Sequence, residues 1–143
     1  MKPLTQTVQE DLKGIIQPGD ICVDATAGNG HDTLFLAEQV GQHGKVYAFD
    51  IQDMAIERTR ERLVAQQLLG QVKLINDGHE HLSASLPDNY SGQVSVIMFN
   101  LGYLPGSDKS CITRPDSTVS ALKQAAALIK PKGIILRRPA RSG

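Results

Sequence analysis

Residues 23–32 read Val-Asp-Ala-Thr-Ala-Gly-Asn-Gly-His-Asp and constrain the fold more than any other stretch. They follow the apolar run Ile21-Cys22-Val23. They precede Thr33-Leu34-Phe35-Leu36-Ala37-Glu38, which has helical character. A strand, a glycine turn and a helix in that order form the first unit of a nucleotide-binding α/β sheet. Gly28 and Gly30 lack a Cβ, so a ligand can lie against the backbone there. The free N–H groups that open the following helix would face that ligand.

The loop also narrows the ligand. A dinucleotide fingerprint needs a third small residue, Gly or Ala, where this chain has Thr33. Asp24 and Asp32 flank the glycines and would repel a pyrophosphate. A cationic ligand with an amino-acid end suits them better, and S-adenosylmethionine (SAM) carries a sulfonium, an ammonium and a carboxylate. A nicotinamide dehydrogenase is disfavoured on the same grounds.

At 143 residues the chain predicts one domain with a real core. No apolar run is long enough to span a membrane, and no signal peptide is expected. Cys22 and Cys111 lie far apart without a C-x-x-C partner, so both read as reduced thiols of a cytoplasmic protein, with no metal site. The charges are unevenly spread. Residues 1–107 hold 7 Lys+Arg and 13 Asp+Glu, whereas residues 108–143 hold 8 and 2. That asymmetry favours a polyanionic partner such as RNA over a small-molecule acceptor.

Periodicity predicts helices over residues 5–17, from Thr33 to the Gly41–Gly44 turn, and over 54–69, 82–86 and 117–130. Strands are predicted over 21–25, 45–50, 71–76, 94–99 and 134–136. Strands alternating with helices give a parallel sheet. Asp53 is placed to cap the third helix. The Arg58, Glu61 and Arg62 face of that helix reads as a solvated charged face, with RNA contact by the arginines a lesser alternative.

In open α/β sheets ligands bind beyond the carboxyl ends of the strands. Asp50, ending the second strand, is placed to bind ribose hydroxyls, and Gln52 points the same way. Asp77, Gly78 and His79, after the third strand, are placed at the adenine. Asn100, after the fourth, offers a side-chain oxygen to a substrate N–H, and Tyr103 a ring face for a base. Holding a nitrogen in line with the methyl group is most of what methyl transfer asks of the protein.

Asp-Ala-Thr-Ala-Gly-Asn-Gly-His-Asp-Thr, Phe-Asp-Ile-Gln, Gly-His and Phe-Asn-Leu-Gly-Tyr-Leu-Pro-Gly-x-Asp-Lys together resemble the small class I methyltransferases labelled rRNA methylases. The resemblance implies a Rossmann-like fold, a mostly parallel twisted sheet with helices on both faces. It implies N-methylation of the 5-aminomethyl group of wobble 2-thiouridine in tRNA, with SAM as cofactor. A small-molecule amine methyltransferase and an inactive SAM-binding remnant are the alternatives. The resemblance implies cofactor contacts by Asn29, Asp32, Asp50, Gln52 and His79, and the full candidate cofactor set is Asp24, Thr26, Gly28, Asn29, Gly30, Asp32, Asp50, Gln52, Asp77, Gly78, His79 and Asn100. Asn100 and Tyr103 are the candidate catalytic residues, and Tyr103, Lys109 and Arg114 face RNA. Two departures stand out. Ser107 occupies a family glycine position, and the family's last helix and strands have no counterpart. The expected domain is therefore 1–136, followed by an irregular basic tail, 137–143. The C-terminal strands would be missing, leaving a sheet edge open to homodimerisation.

Overall fold

The computed structural model describes residues 6–101 and 115–139. The elements are α1 (Gln6–Lys13), β1 (Ile21–Asp24), α2 (His31–Val40), β2 (Lys45–Phe49), α3 (Asp53–Ala65), β3 (Val72–Ile75), α4 (Leu82–Ser85), β4 (Val94–Leu101), α5 (Pro115–Leu128) and β5 (Ile129–Pro139). The strands form one sheet in the order β3-β2-β1-β4-β5, and every pairing is parallel. The expected alternation of strands and helices is therefore present.

Successive residues of a strand point to opposite faces, and the core divides accordingly. Cys22, Val46, Ala48, Val96 and Met98 pack with Leu12 and Ile16 on and just after α1, with Phe35, Leu36 and Val40 of α2, and with Leu63 of α3. Val23, Tyr47, Phe49, Ile97 and Phe99 face the other way, against Leu82 of α4 and Ala121, Ala125 and Leu128 of α5. Cys22, Val23 and Asp24 are all fully buried, as expected for a central strand covered on both faces. Burial pushes the Cys22 thiol up to about 12, so it stays protonated.

Asp20 closes the amino-end of the sheet. Its Oδ2 accepts from Gln17 N at 2.9 Å and Ser95 Oγ at 2.6 Å, and faces Lys130 Nζ at 3.4 Å. One carboxylate thus joins the segments before β1, in β4 and in β5.

Three expectations are corrected. Asp53 does not cap α3; it is the first helical residue, after Gln52, and no side-chain cap bond is made. α3 stops at Ala65 rather than residue 69, because Gln67 turns to a φ of 60°. The tail expected to be irregular from residue 137 instead extends β5. Phe99 pairs with Arg137, Asn100 with Arg138 and Leu101 with Pro139. β4 itself runs to Leu101, so its free backbone groups carry the ladder past the last apolar residue. Charged residues and proline are tolerated on an edge strand. Pro131-Lys132-Gly133 forms a bulge inside β5. Val94 pairs with Ile129 but Val96 with Ile134, and Lys132 takes a φ of 69°. A Cβ on Gly133 would lie 2.9 Å from the Ser95 carbonyl oxygen.

Candidate cofactor site at the sheet switch point

The strand order reverses between β1 and β4, and a crevice opens there at the carboxyl ends. The loop after β1 is strapped across it by backbone. Ala25 N donates to Met98 O and Ala27 N to Phe49 O, both at 2.8 Å. Gly28 and Gly30 adopt φ of 59° and 90°, in the left-handed region that glycine tolerates. At Gly30 there is a second requirement, since a Cβ would come within 2.9 Å of Thr59 Cα on α3. Sequence reading found both glycines but not the helix that presses on the second.

Asp50, immediately after β2, organises the crevice. Its Oδ2 accepts from Gly28 N and its Oδ1 from Gln52 N, each at 2.9 Å. Each carboxylate oxygen carries a further lone pair, so the group retains capacity for two hydroxyl donors. Asn76 Nδ2 donates to the Asp50 carbonyl at 3.0 Å and ties the end of β3 to the same corner. Gln52 is exposed beside it, its backbone rather than its side chain engaged with Asp50.

Asp24, expected among the cofactor ligands, is buried under the loop instead. Its Oδ1 accepts from Thr26 N at 3.2 Å and its Oδ2 from Thr33 Oγ1 at 2.7 Å. Full burial, with Asp32 and then Asp50 adding like charge, raises its carboxyl to about 8. It therefore carries a proton at neutral pH and braces the loop from below. Asp32 is also buried, at the start of α2.

Asp77, expected to meet an adenine amino group, is held low by the bond from His81 Nδ1 at 2.8 Å and by Gly78 N at 2.7 Å. Sequence reading missed His81. Asp77 in turn raises the His81 ring above its ordinary value. His79 is buried, with its ring edge-on to Phe99 at 5.6 Å. Burial lowers its basicity, so it is a neutral imidazole at pH 7. Gln124 of α5 fastens this turn, donating to Glu80 O and accepting from Ser83 N, both at 2.7 Å.

The largest correction concerns α3. Arg58 and Arg62 are not simply solvated. Arg58 Nη1 donates to Asn29 Oδ1 at 3.1 Å, and Arg62 Nε to Asn29 O at 2.7 Å. Thr59 Oγ1 adds a 3.4 Å bond to Gly28 O. Asn100 lies near the carboxyl end of β4, beside the crevice, in register with Arg138. Tyr103, Lys109, Arg114 and Cys111 lie outside the described residues.

A family model described as putative rRNA methylase matches residues 46–137. The chain belongs to this family. A member from Clostridium thermocellum, of known crystal structure, is 43% identical. That match covers 94% of this chain and 70% of that one, with a TM-score of 0.81. A methyltransferase from Streptococcus mutans, crystallised with S-adenosylhomocysteine (SAH), is 34% identical. It covers 94% and 71% of the two chains, with a TM-score of 0.77. The chloroplastic tRNA (mnm(5)s(2)U34)-methyltransferase of Arabidopsis thaliana is 43% identical over 144 residues. That alignment takes in 94% of this chain and 51% of the plant protein. The chain thus spans about half the length of that relative. The five-stranded parallel sheet is the one found in the class I methyltransferases. Among the described residues no helix is long and apolar enough to cross a membrane.

Proposed function

We propose that the chain is the cofactor-binding part of a SAM-dependent RNA methyltransferase. Its acceptor on this reading is the 5-aminomethyl group of wobble 2-thiouridine in tRNA. The observation that carries the cofactor is Asp50, which grips the glycine loop through Gly28 N and keeps lone pairs for two ribose hydroxyls. The charge around it agrees. Burial first, and then the like charge of Asp32 and Asp50, pushes the Asp24 carboxyl up, so the crevice already holds acidic groups close together. A cation is welcome there and a pyrophosphate is not.

SAM supplies an electrophilic methyl group. The protein's share is to bind and to align. Asp50 and Gln52 take the ribose side. Gly28, Asn29 and Gly30 offer a close backbone surface, and the neutral His79 with Gly78 and Asp77 closes the adenine side. Thr26 and Asp32 complete the loop, with Asp24 beneath it. Asn100, near the end of β4, stands where an acceptor nitrogen would approach. Tyr103, Lys109 and Arg114 are assigned to the RNA side by the resemblance of their segment to the family. The name and 43% identity of the plant relative support tRNA as the acceptor.

The test is calorimetric titration with SAH. Micromolar binding that Asp50→Ala weakens by about 1.5–3 kcal/mol, the worth of a hydrogen bond to a charged group, supports the cofactor assignment. Folded wild-type protein that fails to bind refutes it. Labelled methyl transfer to undermodified tRNA, against free amines, then decides the acceptor.

A further inference from the structure

We propose that Arg58 and Arg62 are positioning residues for cofactor binding, holding Asn29 so that its side-chain amide N–H group serves an acceptor oxygen of the cofactor. The inference rests on the SAM reading above and adds a part of the chain that the glycine loop alone does not supply.

Arg58, Thr59 and Arg62 lie within one turn of α3, and all three donate to two consecutive loop residues, Gly28 and Asn29. The approach is close because Gly30 has no side chain to keep Thr59 away. A guanidinium only donates. The Asn29 atom facing Arg58 is therefore the carbonyl Oδ1, and the orientation of the amide is fixed by chemistry. With Oδ1 bound to Arg58 and the backbone carbonyl bound to Arg62, both acceptors of Asn29 are engaged by α3. The donor that the Asn29 side chain keeps free of α3 is Nδ2.

Ion pairing does not account for the two arginines. Among the described residues neither faces a carboxylate within ion-pair distance, whereas Arg60, between them, pairs with Glu57 at 3.5 Å. Both side chains are exposed, where an arginine is ordinarily left in water. Here two of them converge on one residue of the loop. The result is a division of labour. Asp50 beside the loop keeps acceptor capacity for the ligand's donor groups, and the arginine-held amide suits an oxygen of the same molecule.

The experiment measures SAH affinity by calorimetry and urea stability in parallel, for wild type, R58A, R58K, R62A, N29A, N29D and the R58A/N29A pair. R58A and R62A are expected to weaken SAH binding roughly tenfold, the size of one hydrogen bond to a charged group. R58K restores most of it, since one ammonium donor still reaches Oδ1. In the N29A background R58A has no further effect. N29D is the discriminating variant. It keeps, and strengthens, the partner of Arg58 but has no N–H to give, so stability holds while affinity falls as in N29A. A purely structural brace predicts the reverse, with N29D binding like wild type and R58A losing stability alone. That result, or losses that add in the double variant, overturns the proposal while leaving the SAM reading intact. Wild type that does not bind SAH overturns both.

Discussion

Asp24→Asn should flatten the pH dependence of stability across neutrality. The carboxyl is fully buried, and burial, then Asp32, raises it from 3.8 to about 8. In the unfolded chain it titrates near its ordinary value. Between those two values the folded state holds a proton that the unfolded state has released. Stability therefore falls as pH rises, at about 1.4 kcal/mol per pH unit for one proton. From pH 6 to pH 8 that amounts to about 2 kcal/mol, and the slope vanishes above the folded value. The asparagine amide copies the protonated acid in shape and can still accept from Thr26 N, while its N–H group meets the Thr33 hydroxyl. The assay is urea unfolding at pH 6, 7 and 8 for both proteins. With a slope of a few kcal/mol per molar urea or less, the wild-type midpoint should drop by roughly 1 M relative to the variant. All other titratable groups are common to both proteins, so the difference between the curves isolates Asp24. Parallel curves would show that Asp24 is ionised in the native protein, and the argument from its burial would fail.

Gly30→Ala should cost about 1–3 kcal/mol and weaken SAH binding, because a φ of 90° and a Cβ 2.9 Å from Thr59 Cα force α3 off the loop; thermal unfolding and calorimetry read the two effects. Asp20→Ala strips Ser95, itself fully buried, of its acceptor and should destabilise by about 1–3 kcal/mol without touching the crevice. Burial opposes ionisation of Asp20, but Gln17 N–H, the Ser95 hydroxyl and Lys130 together hold its carboxyl below 3.8. Its contribution is thus present above that value and lost as pH falls below it, so the variant's deficit should shrink in acid.

The sheet was legible because each strand is apolar and ends at a polar turn. Period and punctuation alone place β1 to β4 within a few residues. β5 was not, beyond its centre. Arg137–Pro139 carry no strand signal of their own, and only the ladder offered by β4 extends them. The same limit applies to the site. Asp24 and Asp50 look alike in sequence, both acids at strand ends, yet one is sealed beneath the loop and the other lies on the crevice. What separates them is Thr33, whose hydroxyl reaches back to Asp24 only once the loop has turned. Arg58 and Arg62 illustrate the point most sharply. On a helical wheel they share a polar face, and the bland reading of such a face is solvent. The wheel cannot say which loop will come to lie against it. That is decided by the absence of a side chain on Gly30, 28 residues before Arg58, which lets α3 settle onto the glycine turn. A glycine in a nucleotide loop is thus read correctly as room for a ligand and incompletely as room for only a ligand. In this fold the second glycine also admits the helix whose arginines orient the loop.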